Sequence, residues 1–350
     1  MHYMIGYQLQ ESRSLMNEII KNKDRVHEVY FAWGNMASGR GSTIRQSGLM
    51  PHEALQLQQR QLSELAQEGI GMNLLLNANC HGKDSLSRAF LIQTGDLVDY
   101  LTDMLNLSSM TTTSPVLARF LKENFPELEI RASINMEVGT VQAMKYLAED
   151  FDGYYYKREL NRDIEQVKRL KDWCDKNGKK LYMLANSGCL NFCSVRQFHD
   201  NLVAHENEIA QMDNGATFTS MCSRFVAKEE NRRKLLQHLN CIRPEEINLF
   251  DDLVVAAKLA TRVRTRPENI VRAYMDGHYN GNLLELLEPS HGAAFYPTVV
   301  DNSKLPDNYC RHVAYCNKQC EDCDYCKTAL ERACVTLNYG GIMDVNKCND

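Results

Sequence analysis

Short apolar runs alternate with amphipathic stretches along most of the chain. Eight of the runs have the length and the aliphatic, β-branched or aromatic content of buried strands, and most of them end in Gly or in polar residues. They are MIGY (4–7), EVYFAWG (28–34), GMNLLLNAN (71–79), SMTTTS (109–114), IRASIN (130–135), GYYYKREL (153–160), KKLYMLANSG (179–188) and DLVVAAKLATR (252–262).

Five stretches between these runs carry apolar residues at helical spacing and have start or stop signals at their ends. They cover residues 53–69, 114–126, 137–150, 161–178 and 266–277. The second of them begins with Ser114 and Pro115, which are favoured as the N-cap and the first residue of a helix. We therefore expect helices that connect successive strands.

Strands that alternate with helices predict a parallel sheet. Eight such units within about 260 residues predict a (β/α)₈ TIM-like barrel, with an open doubly wound α/β sheet as the alternative. No Gly-x-Gly-x-x-Gly follows a predicted strand, so nothing favours the dinucleotide-binding form of that alternative. We assign residues 1–290 to the barrel and residues 291–350 to a cysteine-rich C-terminal extension.

Several predicted strands end in polar or basic residues, and in a barrel these ends form the face that carries the chemistry. Arg158 follows the sixth strand, and Lys258 and Arg262 lie in the eighth. Strand ends are also polar simply because loops contact water, so a single polar residue there is weak evidence for a functional site. Three converging cations, however, predict a pocket for an anion or a carboxylate.

The composition narrows the class of protein. The chain has 350 residues, 44% hydrophobic and 24% charged, with a formal net charge of −5. This mild negative charge provides no global field for nucleic acid, although a local basic patch stays open. No cationic start precedes an apolar segment, and no run approaches the roughly 18 apolar residues of a membrane helix, so we expect a cytoplasmic protein without a membrane partner.

The thirteen cysteines are concentrated in the second half of the chain. In a reducing compartment, dense cysteines favour metal binding over disulfides. Cys316, Cys320, Cys323 and Cys326 form a C-x₃-C-x₂-C-x₂-C pattern among charged residues, which predicts a zinc site or an iron–sulfur centre. The spacing does not distinguish a zinc site from an iron–sulfur centre. Cys310 or Cys334 could replace one of the four ligands.

A second cysteine group follows the seventh predicted strand. Cys189 and Cys193 are four residues apart, with Cys222 and Cys241 further along the chain as additional candidate ligands. Buried small hydrophobic residues are the other interpretation of these thiols. The basic residues that follow them, Arg196 and His199, share one helical face and are expected to look into the barrel mouth.

The stretch LANSGCLNFCSVRQFHDNLVAHE resembles the signature region of the peptidase U32 (collagenase-like) family. Four further stretches resemble that family in the same order along the chain, and together they cover roughly residues 25–290. They are SINMEVGTVQAMKYL, YYYKRELNRDIEQV, IRPEEINLFDDLVVAAKLATR and RAYMDGHYNGNLLELL.

The resemblance implies a (β/α)₈ barrel and one 4Fe-4S cluster or two. It also implies oxygen-independent hydroxylation of nucleobases or ubiquinone precursors, with prephenate as an oxygen donor in several relatives. Cys189, Cys193 and Cys222 match family cluster cysteines, whereas Cys241 lies where no family cysteine is expected. The catalytic candidates that the resemblance adds or reinforces are Arg158, Glu159, Arg196, His199, Lys258 and Arg262.

Three functions are compatible with these features. The first is an iron–sulfur-dependent oxidoreductase that hydroxylates a small aromatic, nucleobase or modified-peptide substrate with an anionic co-substrate such as prephenate. The second is a peptidase of the collagenase-like family, which would lack the His-Glu-x-x-His motif of metallopeptidases. The third is a non-catalytic subunit paired with a homologous barrel.

Overall fold

Eight parallel strands close into a barrel in the order in which they follow along the chain. The computed structural model describes residues 1–40, 44, 47–262 and 264–337. The barrel strands β1 to β8 are Tyr3–Gly6, Val26–Phe31, Gly71–Leu76, Ser109–Thr112, Glu129–Ala132, Gly153–Tyr155, Lys180–Leu184 and Ala257–Leu259. Pairing of β1 with β8 closes the ring.

Helices surround the strands and fill the longer connections. In the described part of the chain, the helices of eight or more residues are Ser14–Lys21, Pro51–Gln67, Arg88–Leu105, Pro115–Asn124, Ile164–Lys176, Arg196–Ala204, Pro267–Asp276 and Tyr325–Ala333. The segment between β7 and β8 is the longest connection and adds the short helices Glu206–Ile209, Met221–Ala227, Glu229–Arg232 and Leu235–His238. The other short helices are Val141–Tyr146, Gly292–Phe295 and Tyr309–Ala314.

Both faces of the barrel strands are buried, which explains why their sequences read as nearly continuous apolar runs. In β3, Met72, Leu74 and Leu76 pack outward against the helices, whereas Leu75 belongs to the barrel interior. The interior is lined by large side chains such as Tyr155 and Tyr182, so it is a packed core rather than a channel.

A buried ionic group lies inside the barrel between β2, β4 and β5. Arg131 Nη1 is 2.5 Å from Glu28 Oε1, and both side chains are 2% exposed. Arg131 Nε also donates to Glu129 at 2.7 Å, and Ser109 donates to Glu28 at 2.9 Å. Buried charges of this kind are tolerated because their partners satisfy them.

Residues beyond the barrel strands pack back onto the barrel. The antiparallel pair β9 (Thr298–Val300) and β10 (Cys334–Thr336) forms a small separate sheet. Arg243 Nε donates to Asn302 Oδ1 at 2.9 Å, which ties the β7–β8 segment to this part. The division at residue 290 stays a prediction.

The predicted (β/α)₈ fold class is confirmed, and the open sheet is excluded by closure of the barrel. Each predicted strand overlaps an observed strand, and the Ser114 side chain caps the helix that begins at Pro115. The helices Ser14–Lys21 and Arg88–Leu105 were not predicted. No helix among the described residues is long and apolar enough to cross a membrane.

Candidate functional site

A small basic cavity lies at the carboxyl ends of the strands. Its lining includes four cationic side chains, Arg40, Arg158, Lys258 and Arg262, and one acidic side chain among the described residues, Glu288. The cavity has a volume of about 40 Å³. At about 10–15 Å³ per water this corresponds to about three heavy atoms, which is the size of a carboxylate group.

Among the cations that line the cavity, Arg158 is the one with buried guanidinium nitrogens that lack a hydrogen-bond partner. It is 3% exposed, and its Nη2 donates to Asn135 Oδ1 at 3.1 Å. Its Nε and Nη1 are buried without a hydrogen-bond partner in the described part of the chain. Burial lowers the pKa of this guanidinium, and the nearby Arg196 and Arg40 lower it further. An anion in the cavity would relieve that cost, because buried cations need a paired charge.

Lys258 and Arg262 come from β8 and the residues just after it. Lys258 Nζ lies 3.9 Å from the centre of the Tyr30 ring and 5.0 Å from that of Tyr155. Burial lowers the pKa of Lys258 well below its usual range, and Arg262 adds repulsion. Burial also lowers the pKa of Arg262, whose Nη1 donates to Ser38 Oγ at 3.5 Å. The cavity therefore holds more positive charge than its own lining neutralises.

Arg40 completes the basic lining and was not predicted from the sequence. Its Nε pairs with Glu288, so this carboxylate is already committed to one cation. Arg40 lies in the β2–α loop, where no motif marks it. Its position in the sequence could have indicated Arg40, because this residue follows a polar strand end, Trp33-Gly34-Asn35, at the catalytic face.

Two other predicted catalytic residues pair with each other instead of facing the cavity. Arg196 Nη2 lies 2.8 Å from Glu159 Oε1, and its Nη1 lies 2.8 Å from Glu137 Oε1. Glu159 also accepts the backbone N–H of Phe192 at 3.1 Å. These contacts fix the loop after β7. His199 is exposed and lies beside the Phe218 ring, so the structure does not bring it to the basic cavity.

The structure separates the four cysteines predicted to bind a cluster at the barrel mouth. Cys189 lies within electrostatic reach of the cavity cations Arg40 and Arg158. Cys193 and Cys222 line a different groove, of about 530 Å³. Cys241 is buried in the core, where burial raises its thiol pKa to about 11, and its carbonyl oxygen lies 4.0 Å from Cys310 Sγ.

The four cysteines of the C-terminal pattern, in contrast, line one small cavity of about 30 Å³. Cys326 is buried, Cys316 is half-buried, and Cys320 and Cys323 are exposed. Arg162 Nη2 lies 3.6 Å from Cys326 Sγ and 3.9 Å from Cys316 Sγ. Burial raises the pKa of Cys326, and Arg162 opposes that effect. We call these four residues the tail thiols.

Comparisons with known proteins find a relative of this chain. No family model matches the chain. An uncharacterized protease of Methanocaldococcus jannaschii is 24% identical over 282 residues, which are 78% of this chain and 80% of the relative. The solved structure of a U32 peptidase covers 61% of this chain and 79% of its own, at 13% identity and a TM-score of 0.48. An α-amylase from Lactobacillus plantarum reaches a TM-score of 0.33 at 9% identity, over 53% and 62% of the two chains.

The protease from Methanocaldococcus jannaschii agrees with the resemblance found in the signature stretches. The two structural similarities are too weak to carry an argument about chemistry. The predicted family is compatible with the relative's description as a protease, whereas the iron–sulfur and hydroxylase predictions are not tested by these relatives.

The U32 resemblance implies an iron–sulfur cluster, and the positions of the cysteines show which of them could hold it. Among the described residues, no group of three or more His, Cys, Asp or Glu side chains is already positioned to hold a metal ion. The four barrel-mouth cysteines do not line one cavity in the described structure, since Cys193 and Cys222 share a groove that neither Cys189 nor Cys241 lines, and their role as ligands stays a prediction. The tail thiols do offer a suitable donor set, since four cysteine sulfurs suit both Zn²⁺ and iron–sulfur clusters.

Proposed function

We propose that this U32-type chain is a peptidase whose basic cavity binds a carboxylate of its substrate. The description of its relative as a protease favours the peptidase alternative over the hydroxylase that the sequence led us to expect first. The carboxylate part of the proposal has an independent basis in the cavity lining. The observation that carries it is the buried guanidinium of Arg158, which has two unpaired nitrogens beside Lys258 and Arg262.

The lining residues would divide the work of binding a carboxylate. Arg158 is held by Asn135 through Nη2 and still offers Nε and Nη1, each of which can donate a charge-assisted hydrogen bond to an anion. Lys258 in β8 and Arg262 just after it would add charge. Because these groups are buried, their interaction with an anion is stronger than it would be at the surface. Free carboxylates in a peptide are the C-terminus and the Asp and Glu side chains.

The test is hydrolysis of matched peptides that end in a free carboxylate or in an amide, followed by mass spectrometry. The free form should be cleaved about 100-fold faster, because charge-assisted hydrogen bonds contribute about 1.5–3 kcal/mol each. Arg158→Gln should lower kcat/KM for the free form about 10- to 100-fold and leave the amide rate unchanged. Arg233→Gln, which removes an exposed guanidinium, is the matched control and should change neither rate. Absence of cleavage, or equal rates for the two forms, would overturn the proposal.

A redox enzyme with an iron–sulfur centre is the second candidate, and the tail thiols favour it. Four sulfurs that line one cavity are unusual for simple packing, since Cys320 and Cys323 are exposed. The residues that would hold a cluster are Cys316, Cys320, Cys323 and Cys326, and the cluster would supply electron transfer. The basic cavity would then bind an anionic co-substrate. Metal and sulfide content of anaerobically purified protein tests this candidate.

A further inference from the structure

A second cavity lies beside the basic one at the same end of the barrel. It has a volume of about 200 Å³ and is lined by polar groups from two connections, the one after β3 and the one after β7. Cys80 and His81 follow β3, and His205 and Glu208 follow the helix Arg196–Ala204. Met36, Ala37, Leu76, Phe90 and Ala204 supply apolar surface around them.

The polar groups of this cavity lie close to one another. Cys80 and the His205 ring line the same cavity, and a Cβ built on Gly82 would lie 3.7 Å from His205 Cε1. His205 Nδ1 lies 2.8 Å from Glu208 Oε2, so the other ring nitrogen, Nε2, is the one available to the thiol. The backbone N–H of Gly82 donates to Cys80 Sγ at 3.3 Å. A thiol, an imidazole and a carboxylate in this order are the arrangement of an activated nucleophile.

The electrostatics of the pair agree with this arrangement. The hydrogen bond from His205 lowers the pKa of Cys80, and the Gly82 N–H lowers it further. The hydrogen bonds with Cys80 and Glu208 raise the pKa of His205. Both shifts favour the thiolate–imidazolium form, which is the reactive one. The other titratable groups around the pair are His81 and Asp84.

We infer that Cys80 is the nucleophile of an acyl-transfer site, with His205 as its general base and Glu208 as the positioning residue that orients the imidazole. This inference rests on the proposed function, because it names the group that would attack the peptide bond. It differs from every predicted catalytic role, since neither Cys80 nor His205 was among the residues selected from the sequence. The bond attacked would be an amide or ester carbonyl placed in the 200 Å³ cavity.

The chemistry balances with water as the only co-reactant. The thiol proton passes to His205 Nε2 in the thiolate–imidazolium pair, and Cys80 Sγ attacks the carbonyl carbon. The C–N bond then breaks, and the imidazolium proton passes to the leaving amine, which leaves a thioester on Cys80. Water attacks the thioester and gives a proton to His205. The C–S bond breaks, the acid product departs, and the proton returns to the thiol sulfur.

The spacing of the two cavities indicates which peptides would fit. Asn77 lines the basic cavity and Cys80 lines the second one, and both lie in the same connection. Three residues span at most about 10 Å, even when fully extended. Gly39 and Ala37 link the two cavities in the same way. A peptide with its C-terminal carboxylate in the basic cavity would thus place a bond one to three residues away at Cys80.

Alkylation kinetics test the nucleophile without any substrate. The protein is treated with iodoacetamide near neutral pH, and modification of Cys80 is followed in its proteolytic fragment by mass spectrometry. Cys80 should react about tenfold faster in the wild type than in His205→Gln, because the imidazole increases the thiolate fraction. His52→Gln, an exposed histidine on another helix, is the matched control and should leave the rate unchanged. Equal rates in wild type and His205→Gln would overturn the inference.

Peptide hydrolysis then separates the inference from the proposed function. Cys80→Ala should abolish cleavage of a free-carboxylate peptide and the acyl adduct seen by intact mass, with binding of the peptide retained. If the wild type cleaves and Cys80→Ala cleaves equally well, the nucleophile assignment is wrong while the peptidase proposal stands. If the wild type cleaves no peptide, the proposed function fails, and the alkylation rates still decide whether His205 activates Cys80.

Discussion

Lys258 shows how a single residue can be costly to the free protein and useful to a bound ligand. It is 7% exposed and surrounded by other cations and by the faces of Tyr30 and Tyr155. Aromatic faces compensate only part of the lost hydration of an ammonium group. A buried cation without a carboxylate of its own is the kind of local cost that proteins retain at functional sites.

Replacement of Lys258 by Met should therefore stabilise the free protein and weaken anion binding. Substitution of buried charges by apolar residues of similar volume often stabilises a protein by about 1–4 kcal/mol. The gain should be largest below the lowered pKa of Lys258, where the ammonium is charged in both the folded and the unfolded chain. It should shrink as pH rises through that pKa, because the folded protein then releases the proton first.

Urea unfolding of wild type and Lys258→Met at about pH 6 and about pH 10 measures this difference. Lys21→Met, which removes an exposed lysine, is the control and should give a small difference that does not depend on pH. A Lys258→Met protein that is less stable than wild type at the lower pH would contradict this account of the cavity.

Residue identity alone predicted part of the site. Arg158, Lys258 and Arg262 follow or end predicted strands, so the barrel geometry brings them to one face, and the structure does place them in one cavity. Arg40 was missed because no motif marks the connection after β2 in which it lies. Cys241 was grouped with the barrel-mouth cysteines because its sequence position carries no information about which side of the core it faces.

At the scale of elements, the strands were easier to predict than the helices. The barrel strands are buried on both faces, so each gives a continuous apolar run. The helix Arg88–Leu105 was missed because its buried face includes Thr94 and Gly95, which interrupt the apolar periodicity. A Cβ on Gly95 would lie 3.3 Å from the Phe120 ring, so close helix packing explains the glycine.

The helices and the connection that carry the tail thiols lead to a separate prediction, which concerns the metal content of the protein. Cys316, Cys320 and Cys323 lie between the helices Tyr309–Ala314 and Tyr325–Ala333, and Cys326 lies in the second helix. Anaerobically purified protein should contain bound zinc or iron, because four cysteines that line one cavity offer the donor set of a zinc site or an iron–sulfur cluster. Zinc without sulfide would indicate a structural site, whereas iron with equal sulfide would favour the redox candidate.

The variant Cys320→Ala/Cys323→Ala removes only exposed thiols, so it should lose the metal without disturbing the core. The matched variant Cys189→Ala/Cys193→Ala should keep it. Metal that is lost from the second variant and retained by the first would show that the barrel-mouth cysteines hold the centre. Protein that contains neither metal nor sulfide would remove the basis of the redox candidate.

At the scale of the whole molecule, the barrel topology explains why residues from distant parts of the sequence meet. Parallel strands end at one face, so the loops after β2, β3, β6 and β8 all contribute to the basic cavity. The number and alternation of elements were enough to predict this fold. The second cavity could not be predicted, because Cys80 and His205 are brought together by the long β7–β8 connection, whose path follows from tertiary packing.

The central claim is that the basic cavity binds a carboxylate, and direct binding tests it most simply. Isothermal titration would compare a dipeptide, the leaving fragment expected of a short C-terminal cleavage, with the same dipeptide amidated at its C-terminus. The free carboxylate should bind at least about tenfold more tightly, and Arg158→Gln should remove that difference while Arg233→Gln preserves it. Equal affinity of both dipeptides for the wild type would contradict the claim.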